Sequence, residues 1–87
     1  MNSKKEQFIQ PKLQGKRVKL ILITPDKEEM TMESGFFSLT ALNLPAFCGS
    51  ISSGTGWRTS RVQEILQDDD KVCRFKTLNN IYEARAL

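Results

Sequence analysis

Turn-forming residues interrupt this chain at short intervals, and they restrict its fold more than any other feature of the sequence. Proline fixes φ, while glycine, asparagine and aspartate accept the backbone angles that tight turns need. The segments between the turns are short and contain many apolar and β-branched residues, which is typical of strands. The sequence therefore predicts a mainly β protein. The turns lie at residues 25–29, 43–45, 52–56, 68–71 and 78–80.

The clearest strand covers residues 16–24, which are rich in β-branched side chains and stop at Pro25. Apolar side chains fall on both of its faces, as in a strand that is covered on both sides. Residues 30–33 alternate between apolar and polar side chains, so they predict the returning strand of a hairpin. Residues 35–42 fit either a strand or a helix, and we prefer a strand or an irregular apolar crossover.

The second half of the chain predicts a further hairpin and a closing strand. Residues 61–67 pair with residues 72–77 around an acidic turn, and residues 81–87 follow as the last strand. A short helix over residues 59–67 is the alternative, since Val62, Ile65 and Leu66 also have helical spacing. Before this hairpin, residues 46–52 fit a short strand. The sum is a small antiparallel barrel or sandwich of five to six short strands.

Eighty-seven residues are enough for one small domain. We expect residues 1–15 to form a flexible basic arm and residues 16–87 to form a single β-rich domain. The formal net charge of +3 is mild, but basic residues concentrate near the N-terminus. Such a concentration can contact phosphates or an acidic protein surface. The candidate nucleic-acid contacts are Lys12, Lys16, Arg17 and Lys19.

Catalytic and metal-binding chemistry has little support in the composition. The chain has no histidine and two cysteines, so the common arrangements for acyl transfer and zinc binding are missing. The acidic triplet at residues 68–70 lacks the spaced oxygen ligands of a calcium loop, so we expect a charged hairpin tip. We expect no enzyme activity, no cofactor and no metal site.

The N-terminal residues lack the apolar region of a signal peptide. The longest apolar run, at residues 18–23 and broken by Lys19, is too short to span a membrane. These features predict a cytoplasmic protein with reduced thiols and no membrane partner.

The richest concentration of potential contact groups lies at residues 52–61, which contain two glycines, two arginines and the only tryptophan. Their glycine spacing matches neither the Walker phosphate loop nor the dinucleotide-binding loop. Arginine binds phosphate, an indole stacks on bases, and both residue types anchor protein interfaces. A turn followed by a core tryptophan is the purely structural alternative. The candidate binding residues are Thr55, Trp57, Arg58, Ser60 and Arg61, with Tyr82 on the last strand.

The last third of the chain resembles a pattern of small bacterial and phage proteins. Residues 57–65 read WRTSRVQEI, and residues 75–83 read FKTLNNIYE. They are similar to a strand with the pattern WRTS-x-V-x-E-I that precedes a strand with the pattern T-x-N-S-x-Y, although Asn80 replaces the serine. The resemblance implies the same hairpin and a bacterial or phage origin, and it implies no catalytic residue.

A non-enzymatic binding protein accounts best for the small size and the lack of a catalytic set. Our first hypothesis is a protein-interaction or inhibitor module that occupies a partner's surface, with Trp57, Arg58 and Arg61 as anchors. The alternative is a protein that binds a nucleic acid or a nucleotide through the same residues and the basic arm. Phe36 and Phe37 cannot both face the core from one strand, which favours a homo-oligomer.

Overall fold

Six strands of the chain close into an antiparallel barrel, and two short strands form a separate small sheet. The structure is a computed structural model that describes residues 7–50 and 52–87, and no helix occurs in these two ranges. The strands are β1 (Gln7–Phe8), β2 (Arg17–Ile23), β3 (Glu29–Ser38), β4 (Ala41–Leu42), β5 (Pro45–Gly49), β6 (Gly56–Asp68), β7 (Val72–Thr77) and β8 (Ile81–Ala86). Around the barrel the order is β2-β3-β5-β6-β7-β8, and β8 pairs with β2 to close it. The predicted mainly β fold with an antiparallel barrel is confirmed.

Alternating burial explains why the hairpin of β6 and β7 could be predicted. Cys73, Phe75 and Thr77 of β7 are buried, while Arg74 and Lys76 between them are exposed. This period of two is the pattern of a strand with one face on the core. β6 replaces the short helix that the sequence allowed over residues 59–67. Residues 35–42, for which a helix was also allowed, instead form the end of β3 and then β4.

The two longest strands of the barrel each pair with two neighbours in succession. Residues 56–61 of β6 pair with β5, and the rest of the strand pairs with β7. β3 likewise pairs first with β2 and then, near its end, with β5. Because each of these strands passes from one neighbour to the next, six strands are enough to close the wall.

The structure explains why β2 has apolar residues on both of its faces. Val18 and Leu20 face the core with 0% exposure, yet the outward-facing Ile21 is only 3% exposed. On the outside, the ion pair between Arg85 of β8 and Glu29 of β3 crosses β2, which lies between these strands. The outer face of β2 is thus covered by paired charged side chains, as the two-sided pattern of the strand predicted.

Residues 7–15, which the sequence assigns to a flexible arm, lie against the barrel. β1 pairs with β4, and Leu13 is 2% exposed within the core cluster. The side-chain oxygen of Gln14 accepts a hydrogen bond from the Leu39 amide at 2.7 Å, and the Gly15 amide donates to the Phe37 carbonyl at 2.8 Å. Burial of one leucine and pairing of local amides therefore correct the assignment for this part. Residues 1–6 of the predicted arm lie outside the described residues.

Candidate binding face

The turn between β5 and β6 satisfies its own polar groups. The Gly54 amide donates to the Ser50 carbonyl at 3.0 Å, and the Ser50 amide donates to the Thr55 carbonyl at 2.8 Å. The hydroxyls of Ser53 and Thr55 lie 2.8 Å apart. No helix follows the turn, so it has neither the open amides nor the dipole of a phosphate loop. The predicted binding residue Thr55 thus belongs to the turn's internal network.

Trp57 lies where the barrel wall has a gap. β7 ends at Thr77, so residues 56–61 of β6 have no partner on β7. The indole of Trp57 reaches towards β8, where its Nε1 donates to the Tyr82 hydroxyl at 3.4 Å. Trp57 is 38% exposed, whereas Tyr82 is buried and stacks on Phe75 with 5.7 Å between ring centroids. The predicted site residues Trp57 and Tyr82 are therefore brought together, at the edge of the core.

Arg58 is on the other side of β6. Successive residues of a strand point to opposite faces, and Trp57 is the cross-strand partner of the buried Cys48. Arg58 is instead the partner of Phe47, and its side chain is exposed. The structure thus separates Trp57 from Arg58, although the two are adjacent in the sequence.

The remaining predicted residues of this stretch flank the same strand. Ser60 is half-buried, and its carbonyl accepts a hydrogen bond from the Thr59 hydroxyl at 2.6 Å. Arg61 is exposed, and its carbonyl accepts the Leu78 amide at 3.1 Å. Arg61 therefore leaves its guanidinium available on the surface, whereas Ser60 offers little of its side chain.

Two arginines and two phenylalanines form a continuous row on the outer face of β2, β3, β5 and β6, which we call the Arg–Phe stripe. It consists of Arg17, Phe36, Phe47 and Arg58. Arg17 is the register partner of Phe36, and Phe47 is the register partner of Arg58. β3 and β5 are neighbours, which places the two phenylalanines at diagonal positions on one face. Each stripe residue alternates with a buried residue of its strand, namely Val18, Phe37, Cys48 and Thr59.

The two aromatic rings of the stripe have different surroundings. The Arg17 guanidinium lies over the Phe36 ring, 5.4 Å from its centroid, which is a cation–π contact. The Phe47 ring lies over the cross-strand pair Gly49 and Gly56. A Cβ added to Gly49 would lie 3.0 Å from Phe47 Cζ, and a Cβ added to Gly56 would lie 2.8 Å from it. The two glycines let the ring rest on the backbone, with its outer side towards solvent. Phe47 is thus half-buried and available for stacking.

Gly49 lies where β5 and the start of β6 approach each other closely. A Cβ at this position would lie 2.2 Å from the Thr55 carbonyl oxygen, so the two strands approach too closely for any side chain. A register irregularity also occurs between Pro45 and Phe47 of the same strand. β5 therefore combines a close backbone approach at Gly49 with a register irregularity earlier in the strand.

The three arginines on the stripe face form no ion pair in the described part of the chain. Within residues 7–50 and 52–87, none of Arg17, Arg58 and Arg61 takes part in an ion pair. The three ion pairs of the described residues join Arg74 and Arg85 to Glu29 and Glu83, and the pair between Arg85 and Glu29 crosses β2 beyond the stripe. Arg17, Arg58 and Arg61 therefore lie on this face without an ion-pair partner among residues 7–50 and 52–87.

The four lysine and arginine residues predicted to touch nucleic acid divide between two places. Arg17 belongs to the stripe, and Lys19 lies two residues further along β2 on the same outer face. Lys16 is exposed just before β2. Lys12 is exposed beside the acidic hairpin, where its amide donates to Asp68 Oδ1 at 3.0 Å. Lys12 is thus placed next to negative charge.

Sequence reasoning did not select Phe36 and Phe47 as site residues. The signal was present, since each precedes a residue that strand periodicity can bury, Phe37 and Cys48. It could not be used without the register, because the row forms only when Arg17 and Arg58 face these two rings from neighbouring strands.

The cysteines are buried, and both are free. Burial raises the pKa of the Cys48 thiol to about 11 and that of the Cys73 thiol to about 12. Neither thiol is therefore poised to act as a thiolate at neutral pH.

The acidic triplet forms a hairpin tip. Asp69 Oδ1 accepts the amides of Lys71 and Val72 at 2.9 Å, and a hydrogen bond from the Gln67 side chain, followed by these two amides, lowers the pKa of Asp69. No group of three or more candidate metal ligands occurs in the described part of the chain. In the same part, no helix has the length and apolar character to cross a membrane.

Comparisons of the chain with protein-family models, with curated proteins and with solved structures found no match.

Proposed function

We propose that this chain is a non-enzymatic protein that binds single-stranded nucleic acid across the Arg–Phe stripe. The observation that carries the proposal is the row itself, in which unpaired arginines flank two outward rings on adjacent strands. Sequence-tolerant binding of single strands combines a basic surface that follows the backbone with aromatic side chains on which bases stack.

Each member of the row has a defined role. Phe47 offers a ring whose inner side rests on glycine backbone, so a base can stack on its outer side without moving it. Arg58 lies opposite Phe47 and can pair with the phosphate of the stacked nucleotide. At the other end, Arg17 already lies over Phe36 and presents its guanidinium edge to a second phosphate.

The experiment follows the fluorescence anisotropy of a labelled oligothymidine as the protein is added. We expect binding that weakens steeply between about 50 mM and about 200 mM salt, because each phosphate contact on a single strand contributes about −0.7 to the slope of log K against log salt. Phe47→Leu keeps an apolar cover over the glycines but removes the stacking ring. It should weaken binding about tenfold, within the range known for loss of one stacked base.

A matched pair of charge variants separates the stripe from general electrostatics. Arg58→Gln should weaken binding and flatten the salt slope by about one contact. Lys71→Gln removes the same charge at the exposed hairpin tip, and it should change binding little. The proposal would be contradicted if both variants lost the same amount of affinity for the oligonucleotide. It would also be contradicted if the wild-type protein caused no anisotropy change at the lower salt concentration.

A protein-interaction module is the second candidate, and the partly exposed indole of Trp57 favours it. Tryptophan and arginine are the residue types that most often dominate binding energy at interfaces, and Arg61 is exposed on the same strand. A stoichiometric complex isolated from a nuclease-treated lysate, retained by Phe47→Leu and lost in Trp57→Phe, would support this candidate over nucleic-acid binding.

A further inference from the structure

A groove with a cavity volume of about 690 Å³ lies on the outer surface of the barrel, away from the Arg–Phe stripe. Its floor comes from β2 and β8, where Ile23 and Ile81 are register partners, and both point outward. The turns after β2 and after β7 form two of its sides. Volumes of about 300–1,000 Å³ are usual for small-molecule sites.

Two exposed leucines give the groove apolar walls. Leu66 is 42% exposed and Leu78 is 63% exposed. Leu66 lies at a register irregularity between Ile65 and Gln67, and a bulge of this kind turns an extra side chain out of the regular alternation. The apolar walls therefore result from a local departure of β6 from strand periodicity.

The carboxylates at the groove are already neutralised. Glu83 is 5% exposed, and its two oxygens accept hydrogen bonds from Arg74 and Arg85. Glu29 is engaged by Arg85 through two hydrogen bonds, of 3.1 and 2.6 Å. No negative charge in this part of the lining is left without a cation.

Cations at the groove remain free. Lys27 and Lys76 line it, and neither takes part in an ion pair within the part of the chain that the structure describes. Arg74 also lines the groove, and it binds Glu83 through Nε and Nη2, so Nη1 has no hydrogen-bond partner in the described residues. The groove thus combines apolar walls with an excess of positive charge.

We propose that this groove binds a small amphipathic anion, a molecule with one carboxylate on an apolar body. The apolar body contacts Ile81, Leu66 and Leu78, and the carboxylate contacts Lys76 and the free edge of Arg74. Charge complementarity selects the anion over a neutral or cationic analogue, because Glu29 and Glu83 are held by arginines and do not attract a cation. The site is separate from the Arg–Phe stripe, so it does not depend on nucleic-acid binding.

The test compares decanoate, decanol and decylamine by following amide shifts of the full chain in NMR titrations. Decanoate and decylamine stay below their micelle concentrations, and decanol stays below its solubility limit. We expect decanoate to shift the amides of residues 76–81 and to bind about tenfold more tightly than decanol. Decylamine should bind more weakly than decanol. Equal affinity for the three compounds, shifts confined to other residues, or no binding of decanoate would overturn the proposal.

Two variants assign the two halves of the ligand. Lys76→Gln should lower the affinity for decanoate about threefold and leave decanol unchanged, as loss of one exposed ion pair predicts. Leu78→Ser should weaken both compounds by a similar factor. Lys71→Gln, which removes a charge outside the groove, is the matched control. A decanoate affinity that falls equally in Lys76→Gln and Lys71→Gln would also overturn the proposal.

Discussion

The indole of Trp57 donates a hydrogen bond to the hydroxyl of Tyr82 at 3.4 Å, and this contact joins β6 to β8 across a stretch where β7 is absent. Tyr82 in turn stacks on Phe75, and Phe75 lies 5.9 Å from Phe37 between ring centroids. A chain of aromatic contacts therefore leads from the partly exposed Trp57 into the middle of the core. Trp57 therefore links two strands of the barrel wall, in addition to any contact that its exposed part makes.

Removing the hydroxyl of Tyr82 tests this contact. Tyr82→Phe keeps the stack on Phe75 but leaves the Trp57 N–H without its partner, so it should lower the free energy of unfolding by about 1 kcal/mol. Denaturant titration followed by far-ultraviolet circular dichroism measures the change, because this signal does not depend on Trp57. When Tyr82→Phe is made in a protein that already carries Trp57→Phe, it should lower the free energy of unfolding by a smaller amount. If the effects of the two substitutions simply added in the double variant, the hydrogen bond would contribute nothing to stability.

The close approach of the backbone at Gly49 leads to a second prediction. A Cβ at Gly49 would meet the Thr55 carbonyl oxygen at 2.2 Å and Gly56 Cα at 2.6 Å, and these backbone atoms cannot move aside independently. Gly49→Ala should therefore destabilise the protein by about 3 kcal/mol, at the upper end of overpacking costs.

Gly54→Ala is the matched control for the glycine prediction. Gly54 has a φ of +70°, but no atom lies within 4 Å of the position that an added methyl group would take, so only the backbone cost of about 1 kcal/mol applies. Thermal unfolding of the two variants in parallel measures both costs. A Gly49→Ala protein as stable as Gly54→Ala would mean that the strands can separate at this point without penalty.

The parts of this fold that the sequence predicts are those governed by local alternation. β7 can be predicted from the alternation that places Cys73 and Phe75 on one face. β2 can be predicted from its β-branched residues and from Pro25, which follows it. The docking of Leu13 could not be read in this way, because its burial depends on the pairing of β1 with β4, more than thirty residues away in the chain.

The candidate site was predictable only in part, for the same reason. Arg17 and Arg58 were selected from the sequence, but their relation to Phe36 and Phe47 depends on the register of four strands and on the irregularity in β5. A register change of one residue would turn every side chain to the opposite face. Hence sequence proximity grouped Arg58 with Trp57, whereas the strand places them on opposite sides.

The buried thiols predict how stability changes at alkaline pH. Burial raises the pKa of Cys48 to about 11 and of Cys73 to about 12, compared with an ordinary value of 9.0. The unfolded chain therefore loses these protons first, and the free energy of unfolding should fall as the pH rises above about 9. Urea titrations at a series of pH values measure this fall, and Cys73→Ala should make it shallower.

Reaction with a thiol reagent gives an independent measure of the same burial. At neutral pH the native protein should react far more slowly than the chain in denaturant, because both thiols are 0% exposed and protonated. Rapid modification of either cysteine under native conditions would contradict the buried placement of that residue.

Glu83 predicts how the free energy of unfolding changes at acidic pH. Burial alone would raise the pKa of this carboxyl, but hydrogen bonds from Arg74 and Arg85 outweigh it and hold the pKa below the ordinary value of 4.5. A carboxyl with a lowered pKa stabilises the fold fully above its unfolded value, and the stabilisation is lost as the pH falls through its folded value. The free energy of unfolding should therefore decline below about pH 4.5, and Glu83→Gln should remove part of that decline.

At neutral pH the same substitution should cost about 2 kcal/mol, because it leaves Arg74 without its carboxylate and Arg85 with Glu29 alone. Glu64→Gln is the control, since Glu64 is exposed on β6 and takes part in no ion pair in the described residues. Its effect should stay within about 0.5 kcal/mol. If Glu83→Gln were as stable as Glu64→Gln at neutral pH and kept the full acid decline, the arginine contacts of Glu83 would not contribute to the stability of the barrel.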